Sequence, residues 1–191
     1  QRLMAVHELG QDYLKSGLLD RAEELFSRIH REVPWQQHRL RMFGREVDQP
    51  RLVAWYGEPG GTYTYSGLTL DPLPWTATLQ EIRTLGERLA DESFNSALVN
   101  LYRDGDDSVA WHADDEPELG PDPVIASVSL GAERRFHLRH RDSGETIRTV
   151  LPPGSVLVMA NGCQHSWGHQ VPKARRVREA RINITLRRLL P

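Results

Sequence analysis

Apolar positions recur at helical spacing near the start of the chain. Ala22, Leu25, Phe26, Ile29 and Val33 share one face of a helix predicted over residues 20–33, with Asp20 and Glu23 as a capping-box pair and Pro34 as the stop. A second helix is predicted from about residue 78 to 90, where Thr78 and Glu81 form the capping pair and Leu79, Ile82, Leu85 and Leu89 the buried stripe. Beyond Ala97 the pattern changes to short apolar runs at 97–102, 124–130, 134–140, 146–151, 155–160 and 181–188, broken at Asp104-Gly105, Ser143-Gly144 and Pro153-Gly154. Helices followed by strands at this spacing predict a mainly β, α+β chain. Its helices pack on one face of a largely antiparallel double sheet, a sandwich or barrel.

Residues 181–187 alternate without a break, with Ile182, Ile184 and Leu186 on one face and Arg181, Asn183, Thr185 and Arg187 on the other. The apolar face packs. The polar face either meets water or lines a cavity that holds an anion, because two guanidiniums and two small hydrogen-bonding groups match a dicarboxylate. The run 97–102 supplies a second polar set, Asn100 and Tyr102, opposed by Val99 and Leu101. His112 and Asp114 are two residues apart, so in extended chain they point to the same side and can converge on one point. Two histidines and a carboxylate on one face, with the opposite positions open, are the ligand set of non-haem Fe(II) oxygenases. The third ligand would come from His137, His140, His165 or His169. His137 and His140 read as surface residues of an arginine-rich strand, whereas His165 and His169 lie beyond the run 155–160, where a ligand returning from the far side of a sheet is expected. A His-x-Asp pair alone is a weak signal, explained more often by hydrogen bonding than by a metal.

Composition narrows the setting. With 191 residues, 39% hydrophobic and 26% charged, the chain holds enough for one ordinary core, so a single domain over 1–191 is expected. No stretch of about 18 apolar residues suggests a membrane span. The single cysteine, Cys163, excludes an internal disulfide and reads as structural or incidental. No charged-then-apolar leader opens the sequence, so a cytoplasmic monomer is expected. The net charge of −2 hides an asymmetry: residues 1–133 carry 12 Lys/Arg against 23 Asp/Glu, and residues 134–191 carry 12 against 3. A basic region beside an acidic one can receive an anionic polymer such as nucleic acid, although a solvated arginine-rich face gives the same count.

Several separated segments carry a resemblance. Asn100-Leu101-Tyr102, the stretch from Asp107 to Glu116, Ser166-Trp167-Gly168-His169 and Arg181-Ile182-Asn183-Ile184-Thr185-Leu186-Arg187 resemble the AlkB family of Fe(II)/2-oxoglutarate dioxygenases, as do Ala54-Trp55-Tyr56-Gly57 and Tyr63-Thr64-Tyr65-Ser66-Gly67. The motifs occur in the family's order from about Val33 to the end. The resemblance implies a double-stranded β-helix, related to the jelly roll and cupins. N-terminal helices and a nucleotide-recognition lid would occupy about 1–95, and the catalytic core about 96–191. It implies His112, Asp114 and His169 as iron ligands. Arg187 and Asn100 would lie near the metal-chelating end of 2-oxoglutarate, and Arg181, Asn183 and Tyr102 at its distal carboxylate, with Thr185 in the same row. The implied reaction uses Fe(II), 2-oxoglutarate and O2 to remove alkyl groups from bases such as 1-methyladenine and 3-methylcytosine in DNA, with RNA or protein as an alternative substrate. A non-catalytic jelly-roll binding module has no use for such a pocket.

By the same resemblance a flipped or single-stranded base is held by Trp55, Tyr56, Tyr63 and Tyr65, with Glu116 accepting from an exocyclic amine. Strand core is the competing reading for these aromatics, and an ordinary surface acid for Glu116. Arg39-Leu40-Arg41-Met42-Phe43-Gly44-Arg45 interleaves arginines with an apolar pair, as a hairpin would if it touched phosphates and pushed Phe43 at the bases. Met42-Phe43-Gly44 looks like the wedge of duplex-acting members, and the segment around Trp111 like a relative that prefers single strands.

Overall fold

The computed structural model describes residues 4–8, 19–42, 44–65 and 68–191, with side chains over 21–40, 44–64 and 69–191. Two antiparallel sheets enclose the site. The larger runs in the order β1 (Met4–Glu8), β12 (Ser155–Met159), β9 (Ile125–Gly131), β14 (Arg181–Arg187), β7 (Ser96–Tyr102) and β4 (Leu52–Gly57). The smaller runs in the order β11 (Thr146–Leu151), β10 (Arg134–His140), β13 (Trp167–Val171) and β8 (Val109–His112). From β7 onward the chain crosses from one sheet to the other at every step except the β10–β11 hairpin, which is the winding of a double-stranded β-helix. Two hairpins, β2 (Arg39–Met42) with β3 (Arg45–Asp48) and β5 (Tyr63–Tyr65) with β6 (Leu68–Leu70), stand apart from these sheets.

Helices α1 (Leu19–Glu32) and α2 (Ala77–Ala90) cover the outer face of the larger sheet. Leu25, Ile29, Leu79, Ile82 and Leu85 pack there against Val99, Val128, Ile182, Ile184 and Leu186. Gly86 sets how closely α2 approaches: a Cβ at that position would lie 2.2 Å from Leu186 Cδ1. A second core lies between the sheets, with Ile125, Leu157 and Met159 from one side and Phe136, Leu138, Leu151, Trp167 and Val171 from the other. β14 is therefore buried on both faces, its aliphatic face under the helices and its polar face inside.

Two capping expectations are corrected. The second helix starts one residue before Thr78, and its N-cap is Thr76, whose hydroxyl accepts from Leu79 N–H at 3.2 Å. Only a residue outside the first turn can aim its side chain back at those free N–H groups. Thr78 instead donates its hydroxyl to Glu32 at 2.9 Å, tying the two helices together. Asp20 lies inside α1, not ahead of it. The predicted strands agree with the observed ones within a residue or so, but β1, β4, β5 and β6 fall in no predicted run, and neither do β8 and β13. Both are short, and β13 interrupts its apolar positions with Gly168, His169 and Gln170.

Candidate active site

His112 ends β8, and Asp114 follows two residues later. The β13–β8 register sets His169 directly across from His112. One ligand atom from each of His112, Asp114 and His169 lies within 4.8 Å of the others, and the two imidazole centroids are 4.2 Å apart. His112 Nδ1 donates to the Ala110 carbonyl at 2.8 Å, which leaves Nε2 as the bare nitrogen. Burial and the adjacent His169 ring push His112 down to about 4, so the imidazole is neutral, the form with a lone pair for a cation. Burial alone would drive the Asp114 carboxyl up, but Arg187, His169 and His112 outweigh it and hold it well below the usual carboxylate range. Asp114 Oδ1 is ion-paired with Arg187, while Oδ2 lies 3.5 Å from His169 Nε2. Two neutral-capable imidazoles and an ionised carboxylate, gathered from a strand end and a facing strand, fit a divalent cation of the iron type.

The other histidines lie elsewhere. His165 is exposed in the short helix α3 (Cys163–Ser166). His137 faces outward beside Gln170, and His140 accepts from the Asp142 and Ser143 N–H groups.

The polar row on β14 faces the same cavity. Arg181 is opposite Tyr102 and Asn183 opposite Asn100 on β7, and on the β9 side Asn183 is opposite Ser129 and Thr185 opposite Ser127. Arg51 Nε donates to Asn100 Oδ1 at 2.9 Å, and Asn183 Oδ1 accepts from Asn100 Nδ2 at 3.4 Å and Thr185 Oγ1 at 2.9 Å. Asn183 Nδ2 donates to Ser127 Oγ at 2.6 Å. These amides are thus satisfied within the protein, whereas Arg181 is not. Among the described residues Nη2 donates to Ser129 Oγ at 2.9 Å, and Nε and Nη1 are buried without a partner. A guanidinium 1% exposed, seated 5.1 Å from the Tyr102 ring centroid and lacking a carboxylate, is a site built for an anion. The residues present therefore fit both a divalent cation and a carboxylate in one cavity.

Above the triad, Arg187 Nη1 donates to Tyr63 Oη at 2.7 Å, and Tyr63 donates to Glu116 Oε1 at 2.5 Å. Glu116 Oε2 is buried with no partner among the described residues. Burial raises Glu116 despite the opposing Arg187 charge, and burial likewise raises Tyr63. Trp55 stacks on Tyr63 at 4.5 Å and 19°, with its indole N–H donating to the Gly61 carbonyl. Tyr56 does not join them. Strand alternation turns it to the other face of β4, into the core with Leu79 and Phe94, where burial and Glu32 push it up to about 12. Phe43 and the Tyr65 side chain lie outside the described residues.

Sequence reasoning missed Arg51, Ser127, Ser129 and Gln164. Gln164, 1% exposed, accepts the Asp114 backbone N–H at 2.9 Å. Ser127 and Ser129 alternate with Ala126, Val128 and Leu130, the same signal that marked β14. Arg51 sits in a bend and Gln164 in the single-turn helix α3, neither long enough to show a period.

The profile of the 2OG-Fe(II) oxygenase superfamily matches residues 11–187. The chain is 43% identical over 183 residues to "Alpha-ketoglutarate-dependent dioxygenase alkB homolog 3" of Bos taurus, covering 91% of this chain and 63% of that one. It is 40% identical over 181 residues to "DNA oxidative demethylase ALKBH2" of Mus musculus, covering 89% and 76%. The chain thus spans under two thirds of the length of the alkB homolog 3 relatives it matches. Among solved structures, OsALKBH1 superposes with a TM-score of 0.64 at 17% identity, covering 98% of this chain and 99% of that one. A prolyl-4-hydroxylase of Pseudomonas putida superposes with a TM-score of 0.63 at 15% identity, covering 98% and 94%. At these identities the two structures speak to the fold.

Proposed function

The chain belongs to the AlkB family within the 2OG-Fe(II) oxygenase superfamily, and we propose that it removes alkyl groups oxidatively from N-alkylated bases of DNA, such as 1-methyladenine and 3-methylcytosine. The observation that carries this reading is the unpaired Arg181 guanidinium in the same cavity as the His112, Asp114 and His169 cluster. A site for a cation and a site for a free carboxylate together suit 2-oxoglutarate bound at iron. The overall change is balanced: the cationic N-methyl base, O2 and 2-oxoglutarate give the unmodified base with a bare ring nitrogen, a proton, formaldehyde, succinate and CO2. Bound Fe(II) supplies the activation of O2 that this oxidation needs.

The protein's own residues hold and orient. His112, Asp114 and His169 would bind the iron, with Arg187 and Gln164 fixing the Asp114 carboxylate and backbone. Arg181 and Tyr102 would take the distal carboxylate of 2-oxoglutarate, and Asn100, held by Arg51, would border its chelating end. A base cannot reach a buried iron from within a duplex, so it enters flipped or single-stranded. Tyr63 and Trp55, stacked on one another and buried, would form the wall beside the base, and Glu116 Oε2, without a partner among the described residues, offers an acceptor for an exocyclic amine. The DNA-acting names of the relatives and the basic region 134–191 support nucleic acid over a protein substrate.

The test is incubation with Fe(II), ascorbate, 2-oxoglutarate and methylated oligonucleotides, single- and double-stranded, with demethylation followed by mass. Loss of the methyl mass, abolished together with iron retention in His169→Ala and retained in His165→Ala, is the expected result. Equal iron binding by wild type and His169→Ala would overturn it.

A further inference from the structure

Arg134 is a second buried guanidinium beside the ring that borders the anion site. It opens β10 and is 2% exposed. Nη1 donates to the Asp104 carbonyl at 3.1 Å, and Nη2 to the carbonyls of Asp107 and Pro172, each at 2.8 Å. Its buried Nε has no partner. The nearby Asp107 carboxylate is occupied by Arg103, at 2.8 and 2.9 Å. The Arg134 guanidinium carbon lies 5.5 Å from the centroid of Tyr102, and that of Arg181 lies 5.1 Å from the same centroid. Two cations from opposite sheets therefore share one ring; among the described residues neither is hydrogen-bonded to a carboxylate, although the Asp107 and Asp104 carboxylates favour the Arg134 charge from nearby.

The carbonyl contacts alone do not call for a charge. The loops they join are already stitched by Gly105 N–H to the Val177 carbonyl at 2.9 Å and Ala174 N–H to the Gly105 carbonyl at 2.7 Å. A neutral amide, with two N–H donors, could serve two of the three carbonyls. What a guanidinium adds is a desolvated positive charge. Beside Arg181 that charge is repulsive until an anion arrives, and it then attracts the anion in a setting where water screens little.

Building on the 2-oxoglutarate reading above, we infer that Arg134 is a positioning residue of the co-substrate site: acting across Tyr102, its charge tunes the Arg181 pocket toward a 2-oxo acid with a second carboxylate. A prop for the loops would serve every 2-oxo acid alike. A charge aimed at the distal end serves only the dicarboxylate.

The experiment compares 2-oxoglutarate with 2-oxobutyrate, which keeps the chelating end and lacks the distal carboxylate. Binding is measured calorimetrically to the Mn(II)-loaded protein in wild type, Arg134→Gln and Arg134→Lys. Arg134→Gln should weaken 2-oxoglutarate by about tenfold or more and 2-oxobutyrate by no more than about twofold, and Arg134→Lys should restore most of the difference. Equal losses for both acids, or no loss for either, would overturn the inference. Should Arg134→Gln fail to fold, Arg134→Lys decides: preserved discrimination at a lowered melting temperature supports the charge, and lost discrimination rejects it. A wild type that binds both acids alike would overturn the 2-oxoglutarate reading and this inference with it. Wild-type discrimination left intact by Arg134→Gln would overturn this inference alone.

Discussion

Arg181 is a residue whose folded environment is built for something other than folding. Burial disfavours its charge, Tyr102 partly offsets that, and two of its nitrogens lack partners. An uncompensated buried cation destabilises a protein, and replacing buried charges with apolar side chains of similar size is often stabilising by about 1–4 kcal/mol. Arg181→Met should therefore melt at a higher temperature than wild type when no 2-oxo acid is present. The order should reverse once 2-oxoglutarate is added to the metal-loaded proteins, because only wild type gains from the ligand. Thermal scans with and without the acid read both halves, and a variant that melts lower in its absence would show that Arg181 is structurally satisfied. At this scale the sequence was legible wherever a polar residue broke an apolar alternation, as Arg181, Asn183 and Asn100 do. It was silent for Arg51 and Gln164, which reach the site from a bend and a single-turn helix too short to carry a period, and misleading for Tyr56, whose neighbour Trp55 takes the inward face.

At the scale of elements, periodicity located α1, α2 and six of the strands, because each buries one continuous stripe. β1, β4, β5 and β6 escaped it, and so did β8 and β13. The last two carry the two histidines, and a strand that presents ligands to a cavity gives up the apolar pattern by which strands are recognised. The packing of α2 on β14 has a sharper determinant than hydrophobicity. Gly86 lets the helix settle onto Leu186, and α2 thereby backs the strand whose other face holds Arg181 and Arg187. Adding a methyl there gains about 1 kcal/mol of helix propensity but overpacks a tight contact, which costs about 1–3 kcal/mol. Gly86→Ala should be neutral to mildly destabilising, and Gly86→Val clearly destabilising. Pairing Gly86→Ala with Leu186→Val should recover stability, a non-additivity that denaturant unfolding of the four proteins in the cycle measures. Strict additivity would mean that the helix relieves the contact by shifting as a whole.

For the whole molecule the consequential pattern is charge. The acidic excess of residues 1–133 and the basic excess of residues 134–191 nearly cancel in the total, and basic residues outnumber acids at the exposed positions of the smaller sheet and its flanking loop, where Glu133, Asp142, Glu145 and Glu179 are also exposed. Arg135, Arg139 and Arg148 project from β10 and β11, and Lys173, Arg175 and Arg176 from the segment between β13 and β14, all exposed. None is ion-paired to a carboxylate among the described residues, and Arg139 lies over the Trp111 ring at 4.2 Å. The interior cations Arg134, Arg181 and Arg187 serve other purposes, so the sequence count alone overstated the surface and could not say which arginines face water. A surface of this kind binds a phosphate backbone by releasing counterions, with log K falling by about 0.7 per phosphate for each unit of log salt on a single strand. Engagement of about four phosphates by these residues predicts a slope near −3 for a fluorescent single-stranded oligonucleotide. Replacing Lys173 and Arg175 with alanine should shallow it by about 1 while leaving 2-oxoglutarate affinity unchanged, since neither residue lines the cavity. Anisotropy titrations across a salt series supply the slope. A wild-type slope shallower than about −1 would assign the basic excess to solvation, and the nucleic acid would then have to be held by the lid alone.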